Sequence, residues 1–589
     1  MKAGLFLSVL VILTVFSIGN AEGKEVVDIT VNKPDNPKLE HILDRMAVDI
    51  KNSEYLANEY NIKVENNLVR VIIELKEFEP EYIKVLENGG AIIEIYDANL
   101  VQARLPVSRL NEFANLPFVN FIRIPEDYST LSVTSEGVAT INATELHKKG
   151  INGSGVKIGV IDLGFQDYQN KLGTELPLSV EVKSFRQDGD ITGMGEKHGT
   201  AVAETVFDVA PGAKLYLVNF QTDLEKNNAV NWLISQHVDI ISASTGKMIG
   251  PKDGTDYSDK IVNNSTKSGI LWVNSAGNEA EEHWMGNFYD PDVNKFHNFT
   301  SVSEIQTIIG ISGQQIEILL DWNDWPYSDQ DYDLYIIDKN LNLVASSQNV
   351  QSGSQPPVER IRYTASYTGY YGIVIKKYMA TRNVKFHLYS PKNPTMRYIV
   401  PAGSITIPGM SKDSLTVGAT HWLNDALEPY SSRGPTDDGR IKPDVVAPAN
   451  TTNSVYGVFM GTSASAPHVS GAAALLLQAN RSLNISQLRY VLESSAKDLG
   501  PPGKDNLFGT GRIDVFKAYQ MVTTTPTCAY DLNGDKTIGI GDVVVLVNNW
   551  NAKNADPAWD QKKFADLNKD GEIGIGDVVV LVNNWGKNC

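Results

Sequence analysis

The chain has 589 residues, more than one hydrophobic core accommodates, so several domains are expected. Hydrophobic residues make up 42% and charged residues 21%, the balance of an ordinary globular protein. A formal net charge of -18 argues against a nucleic-acid partner, which would need a basic face; the acidity suits solubility and carboxylate-rich cation sites.

The first 21 residues read as an export signal. Lys2 supplies the positive end, residues 5–18 an apolar run, and Gly19-Asn20-Ala21 the small residues before a cut at Glu22. A membrane anchor is the alternative, but the run is short for a bilayer. No later stretch approaches 18 uninterrupted apolar residues, so no membrane span is expected after signal removal, and the protein is expected to be secreted or held at the cell surface. Asn142 and Asn298 begin glycosylation sequons.

Residues 22–65 are polar and predict a lead-in with one helix. Residues 68–126 predict a small α/β unit: a strand at 69–75, a helix at 79–87, two strands within 91–106 around Asp97-Ala98-Asn99, a helix at 107–116 and a strand at 118–124. From Gly155 buried strands at 156–161, 215–219, 239–242 and 270–274 alternate with helices such as 200–208 and 227–236. That pattern predicts a parallel sheet covered on both faces. Residues 301–393 break it with short strands at 316–321, 332–336, 359–363, 371–375 and 384–388, an all-β sandwich inserted into the larger domain. The alternation resumes at 414–420.

Residues 523–527 form a polar linker, and beyond it 531–550 repeats as 566–585 with three differences. Asp531, Asn533, Asp535, Thr537 and Asp542 stand at positions 1, 3, 5, 7 and 12 of a cation loop, and Asp566, Asn568, Asp570, Glu572 and Asp577 repeat them. Oxygen donors at this spacing suit calcium, so two ions and no organic cofactor are expected. Position 12 is aspartate in both loops, and each loop leads into a single apolar helix.

Three separated segments carry candidate chemistry. Asp162 ends a buried strand, His198 starts a helix in Lys197-His198-Gly199-Thr200, and Ser463 opens an apolar helix in Gly461-Thr462-Ser463-Ala464-Ser465-Ala466-Pro467-His468. A serine hydroxyl needs a base near neutral pKa, and that base needs a carboxylate to fix its tautomer. Singly, each residue could be a cap or a structural group. Together and in this order they resemble the subtilisin-like serine peptidases over roughly residues 130–300 and 395–522. The resemblance implies hydrolysis of protein or peptide substrates through Ser463, His198 and Asp162. It also implies Asn278, in Asn274-Ser275-Ala276-Gly277-Asn278, as the side-chain oxyanion donor beside the Ser463 backbone N–H. Ser244-Thr245-Gly246 and Ser275-Ala276-Gly277 match segments flanking the family's substrate pocket. Ser-Thr-Gly departs from the usual Ser-Leu-Gly-Gly or Ser-Trp-Gly, which leaves the pocket preference open. His468, Ser465 and His283 read as structural or as local support.

The 68–126 unit resembles the inhibitory propeptide of these enzymes, which implies a segment 22–128 cleaved somewhere in 125–135; a permanent N-terminal domain is the alternative. The catalytic domain is then 129–300 and 394–522. The inserted segment resembles pre-peptidase C-terminal-like β-domains, its cluster Asp321, Asp324, Asp331 and Asp333 reading as a solvated surface, with calcium binding as the alternative. The tail, 528–589, is similar to dockerin domains, which implies a cohesin-bearing partner read through Ile540-Gly541 and Ile575-Gly576; a calcium-stiffened structural tail is the alternative. Cys528 and Cys589 bracket it and are expected to form a disulfide.

Overall fold

The computed structural model describes residues 36–50, 53, 56–57, 62, 64–125, 129–130, 136–391, 393, 395–523, 530–533 and 537–586. The signal segment, Cys528, Cys589 and Asp535 lie outside these residues, and so do the expectations placed on them.

Seven parallel strands form the main sheet, in the order Val445–Ala449, Ser414–His421, Leu271–Ser275, Ile240–Ala243, Lys157–Asp162, Lys214–Asn219 and Glu181–Ser184. Both faces are covered because neighbouring residues of a strand point to opposite sides. Leu215 and Leu217 enter the core under helices His198–Val209 and Thr462–Ala479. Tyr216 and Val218 enter the core under helices Asp223–Ser235 and Tyr257–Lys267. The two strands at 181–184 and 445–449 were not legible as strands: the first is polar and half exposed, and the second contains Pro448.

The N-terminal unit is a five-stranded antiparallel sheet of Val64–Glu65, Leu68–Leu75, Leu100–Pro106, Ile92–Asp97 and Val119–Arg123. Helices His41–Val48, Pro80–Asn88 and Leu110–Ala114 accompany it, close to the predicted positions. Strand Ser129–Thr130 follows and pairs antiparallel with Thr245–Gly246.

The insertion is a sandwich of two four-stranded antiparallel sheets. Its boundary differs from the expected 301: strand His283–Asn287 already pairs with Lys385–Tyr389. His283 is therefore a sandwich residue, its Nε2 3.0 Å from His387 Nδ1. The reading of the acidic cluster as solvated is also corrected. Asp321, Asp331 and Asp333 are each 1% exposed. Asp321 lies 3.5 Å from the Lys252 ammonium of the catalytic domain, and Asp333 accepts from the Tyr335 hydroxyl at 2.9 Å. Asn298 is buried too, which makes its sequon a poor acceptor in the folded chain.

One buried ion cluster ties the sheet edge together. Asp444 accepts from Lys442 Nζ at 2.6 Å, Arg489 at 2.7 Å, Lys504 at 3.2 Å and the Thr416 N–H at 2.9 Å. Burial by itself raises the Asp444 pKa, but the three cations outweigh it and hold the carboxyl well below the usual range. Burial lowers the Lys442 ammonium to about 8, so the pair stays charged through mildly acidic and neutral pH. Asp444→Ala leaves Lys442 buried without its carboxylate and is expected to cost about 3–5 kcal/mol, read as a lowered midpoint in thermal unfolding. A depressed carboxylate pKa stabilises above the unfolded value and is lost as pH falls, so the variant and the parent should converge in stability on acidification below pH ~4.

Candidate active site

Asp162 is the last residue of the central strand Lys157–Asp162, and His198 is the first of helix His198–Val209. Both are fully buried, and His198 Nδ1 lies 2.8 Å from Asp162 Oδ2. The second carboxylate oxygen accepts the Leu163 N–H at 2.8 Å, which fixes the plane of the group. Burial raises the Asp162 pKa, opposed by the attraction of His198.

Ser463 is the second residue of helix Thr462–Ala479. The turn before it requires Gly461, whose φ of +103° is a conformation side chains rarely tolerate. The two helices that carry His198 and Ser463 also pack at very short range. A Cβ on Gly471 would stand 2.5 Å from the Val209 side chain, so only glycine permits this approach. Pro467 has no N–H for the Ser463 carbonyl, four residues earlier in the same helix. That carbonyl accepts the Ser244 hydroxyl instead, at 3.2 Å. In return the Ser463 hydroxyl donates to the Ser244 carbonyl at 3.1 Å. The structure thus joins Asp162 to His198 and directs the Ser463 Oγ to the backbone of 244.

Asn278 sits beside the serine helix. Its Oδ1 accepts the Thr462 N–H at 2.9 Å and the Thr462 hydroxyl at 3.1 Å. With the oxygen so held, Nδ2 faces away from Thr462 and carries no hydrogen bond among the described residues. Thr462 also accepts the Gly277 N–H at 3.0 Å, so one threonine aligns both the serine helix and the asparagine segment.

The substrate-pocket residues of the sequence reading divide into two groups. Thr245 and Gly246 form the short strand that pairs with 129–130. Ser275 and Ala276, fully buried like Ser244 and Thr245, lie on the other segment, and Ala276 packs with Ile405, Ile407 and Met410. Between the two groups stands Thr406, which the sequence did not single out. Its N–H donates to the Ala276 carbonyl at 2.9 Å, and its Oγ1 would lie 2.3 Å from a Cβ on Gly246. The signal that could have found it is the pair of facing glycines, Gly246 and Gly277, which leave room for one side chain from a third segment. Glu279 was missed too. It is 2% exposed and accepts the Ser432 hydroxyl at 3.1 Å. His468 and Ser465 are structural: His468 Nδ1 is 2.8 Å from the Ala464 carbonyl, and Ser465 donates to the Ala447 carbonyl at 2.9 Å.

In the tail, Asp542 and Asp577 are both fully buried. Asp577 accepts the N–H groups of Leu567 at 2.6 Å, Asn568 at 3.1 Å and Gly574 at 2.7 Å, folding the second loop around its own position 12. Among the described residues no three acidic, histidine or cysteine side chains gather as a metal-holding group. The loop still fits a calcium ion in its chemistry. Asp566 Oδ1 is buried without a hydrogen-bond partner, and the nearby Asn568, Asp570 and Glu572 offer only hard oxygen donors. Each loop has an exposed isoleucine at its tenth position, Ile540 at 70% and Ile575 at 71%.

With this geometry in place, the comparison with known proteins gives the family. The chain belongs to the subtilase family, whose model matches residues 153–399 and 398–511. Its tail, residues 529–584, matches the dockerin type I domain. It is 38% identical to bacillopeptidase F of Bacillus subtilis over 131 residues, 20% of this chain and 9% of that protein. It is 29% identical to subtilisin E of Bacillus subtilis over 214 residues, 33% of this chain and 54% of that protein. The chain thus spans less than two thirds of these relatives' lengths. The structure of the Clostridium perfringens CspB protease superposes with a TM-score of 0.51 at 17% identity, covering 66% of this chain and 99% of that one, which shows the shared fold.

Burial, with the nearby Glu282, raises the Glu279 carboxyl to about 8, so it is protonated at neutral pH. A carboxyl raised in the folded state binds more protons than the unfolded chain does, and stability falls as pH rises from about 4.5 to about 8. Glu279→Gln is expected to flatten that part of the stability–pH curve, measured by thermal melts at several pH values. An unchanged slope would place the loss elsewhere.

Proposed function

We propose that the chain is a serine endopeptidase that hydrolyses peptide bonds in protein substrates. The observation that carries this reading is the fully buried Asp162–His198 hydrogen bond, 2.8 Å long, together with a serine at the N-terminus of the helix that packs on the His198 helix. Asp162 holds Nδ1 protonated, which leaves His198 Nε2 to accept a proton. For the first step the Ser463 hydroxyl turns from the Ser244 carbonyl to Nε2 and attacks the substrate carbonyl. The tetrahedral oxyanion is met by Asn278 Nδ2 and the Ser463 N–H, aided by the helix dipole. Collapse breaks the C–N bond, and the imidazolium gives its proton to the leaving amine. Water then repeats the sequence on the acyl-enzyme.

The N-terminal unit acts as an inhibitory prosegment. Support comes from the pairing of Thr130 with Thr245 and of Ser129 with Gly246: the chain leaving the unit runs as an added strand where an extended substrate would lie. Self-cleavage in 125–135 would then free it. The dockerin domain attaches the enzyme to a cohesin-bearing protein, supported by exposed Ile540 and Ile575 at matching places in the two repeats. Two calcium ions are assigned to its loops, with Asp531, Asn533, Asp535, Thr537 and Asp542 holding one and Asp566, Asn568, Asp570, Glu572 and Asp577 the other. Calcium supplies the positive charge that lets these carboxylates share a loop. Cys528 and Cys589 clasp the domain ends, and the product is exported.

Ser463→Ala is expected to abolish casein hydrolysis, and Asn278→Ala to lower kcat by about 10²–10³ with KM little changed. Residual activity of the serine variant at the parent level would reject the assignment. Addition of calcium to chelator-treated protein is expected to raise the unfolding temperature of the tail, and Asp566→Ala to remove part of that rise. Equal melting with and without calcium would count against the loops.

A further inference from the structure

We propose that the inserted sandwich is a second docking surface for the N-terminal unit, so that the unit is held at two separate places; the proposal rests on reading that unit as an inhibitory prosegment. On the catalytic side, Arg70 bonds Glu225 at 2.7 Å, and the Tyr257 hydroxyl donates to Asp97. Glu225 and Tyr257 lie in helices Asp223–Ser235 and Tyr257–Lys267.

The other contacts lie on the sandwich. Helix His41–Val48 of the N-terminal unit has no side-chain cap from its own N-cap residue, Glu40. Its first N–H, that of His41, is accepted by Asn349 Oδ1 of the sandwich. A residue 308 positions away therefore caps this helix. Asn349 is aimed for the task from behind. Its Nδ2 donates to the Val358 carbonyl at 3.1 Å and to the Glu359 carboxylate at 3.3 Å, and Glu359 is fully buried. Gln355 makes a second contact. Its Oε1 accepts the Ser352 N–H at 2.8 Å within its own loop, which turns Nε2 outward to the Pro37 carbonyl at 2.9 Å. The backbone joins in as a third, where Asn120 Nδ2 donates to the Ser354 carbonyl at 3.1 Å.

Asn349, Gln355 and Asn120 are 6%, 3% and 8% exposed. Polar groups withdrawn from water in this way are favourable only with partners of matching geometry. The sandwich loop is braced by its own hydrogen bonds, so little ordering opposes binding. Two sites on one rigid partner make release of the cleaved unit slower than either contact alone would allow. The loop should also discriminate against N-terminal units that carry only the catalytic-side contacts.

The full-length precursor tests this. It is allowed to process itself, and loss of the N-terminal fragment is timed by gel filtration alongside the rise of peptide hydrolysis. Asn349→Ala and Gln355→Ala, singly and together, are compared with Arg70→Met on the catalytic side, with melting of each precursor as a check on folding. The sandwich pair is expected to release the fragment roughly ten-fold faster, each single change a few-fold, with kcat/KM of the fully released enzyme unchanged. Release at the parent rate from the sandwich variants, while Arg70→Met speeds it, would overturn the proposal and leave the prosegment reading standing. A fragment that never forms, or that leaves activity undiminished while bound, would overturn the prosegment reading and the proposal with it.

Discussion

The hydrogen bond between Asp162 and His198 ties the end of a central strand to the start of a helix, with both groups out of water. A buried carboxylate is stable only when it is paired, and a buried imidazole gains a fixed tautomer from the same contact. The proposed relay needs a third group, Ser463, brought toward this pair. That is why the helices of His198 and Ser463 meet at Gly471 without an intervening side chain. It also explains why Pro467, at first sight a helix defect, is tolerated: the carbonyl it frees is held by Ser244 from the neighbouring strand end.

The same carboxyl edge of the sheet organises the other domains. Thr245–Gly246, just beyond strand Ile240–Ala243, receives the chain that leaves the N-terminal unit. The sandwich enters the chain just after Asn278 and Glu279 and leaves it before Thr406. Lys252 facing Asp321, and Lys385 bonded to Asp437 at 2.6 Å, anchor it to the catalytic domain through buried or half-buried charge rather than through an apolar face alone. Such pairs specify one orientation, since any other leaves a charge without its partner.

Much of this was legible in the sequence because it is written locally. Alternating apolar runs gave most strands of the main sheet, and the turn at Asp97 gave the hairpin of the N-terminal unit. The three triad candidates were visible only together, through their order and the motif around Ser463, since each alone could be a cap or a structural group. What escaped was written at long range. His283–Asn287 falls in the expected catalytic segment until its partner Lys385–Tyr389 is known, about a hundred residues later. Asp321 looks solvated as part of an acidic string, and only the arrival of Lys252 from the catalytic domain makes its burial reasonable. Thr406 has no distinguishing neighbour in sequence; its importance lies in two glycines that face it from other segments.

The measurement that bears most directly on the relay is mapping of the residue modified by a fluorophosphonate on the processed protein, by mass spectrometry of its peptides. The account predicts a single phosphonylated site at Ser463, with labelling lost when His198 is replaced by alanine although the protein stays folded. Labelling at another serine, or labelling of Ser463 that is indifferent to His198, would contradict it.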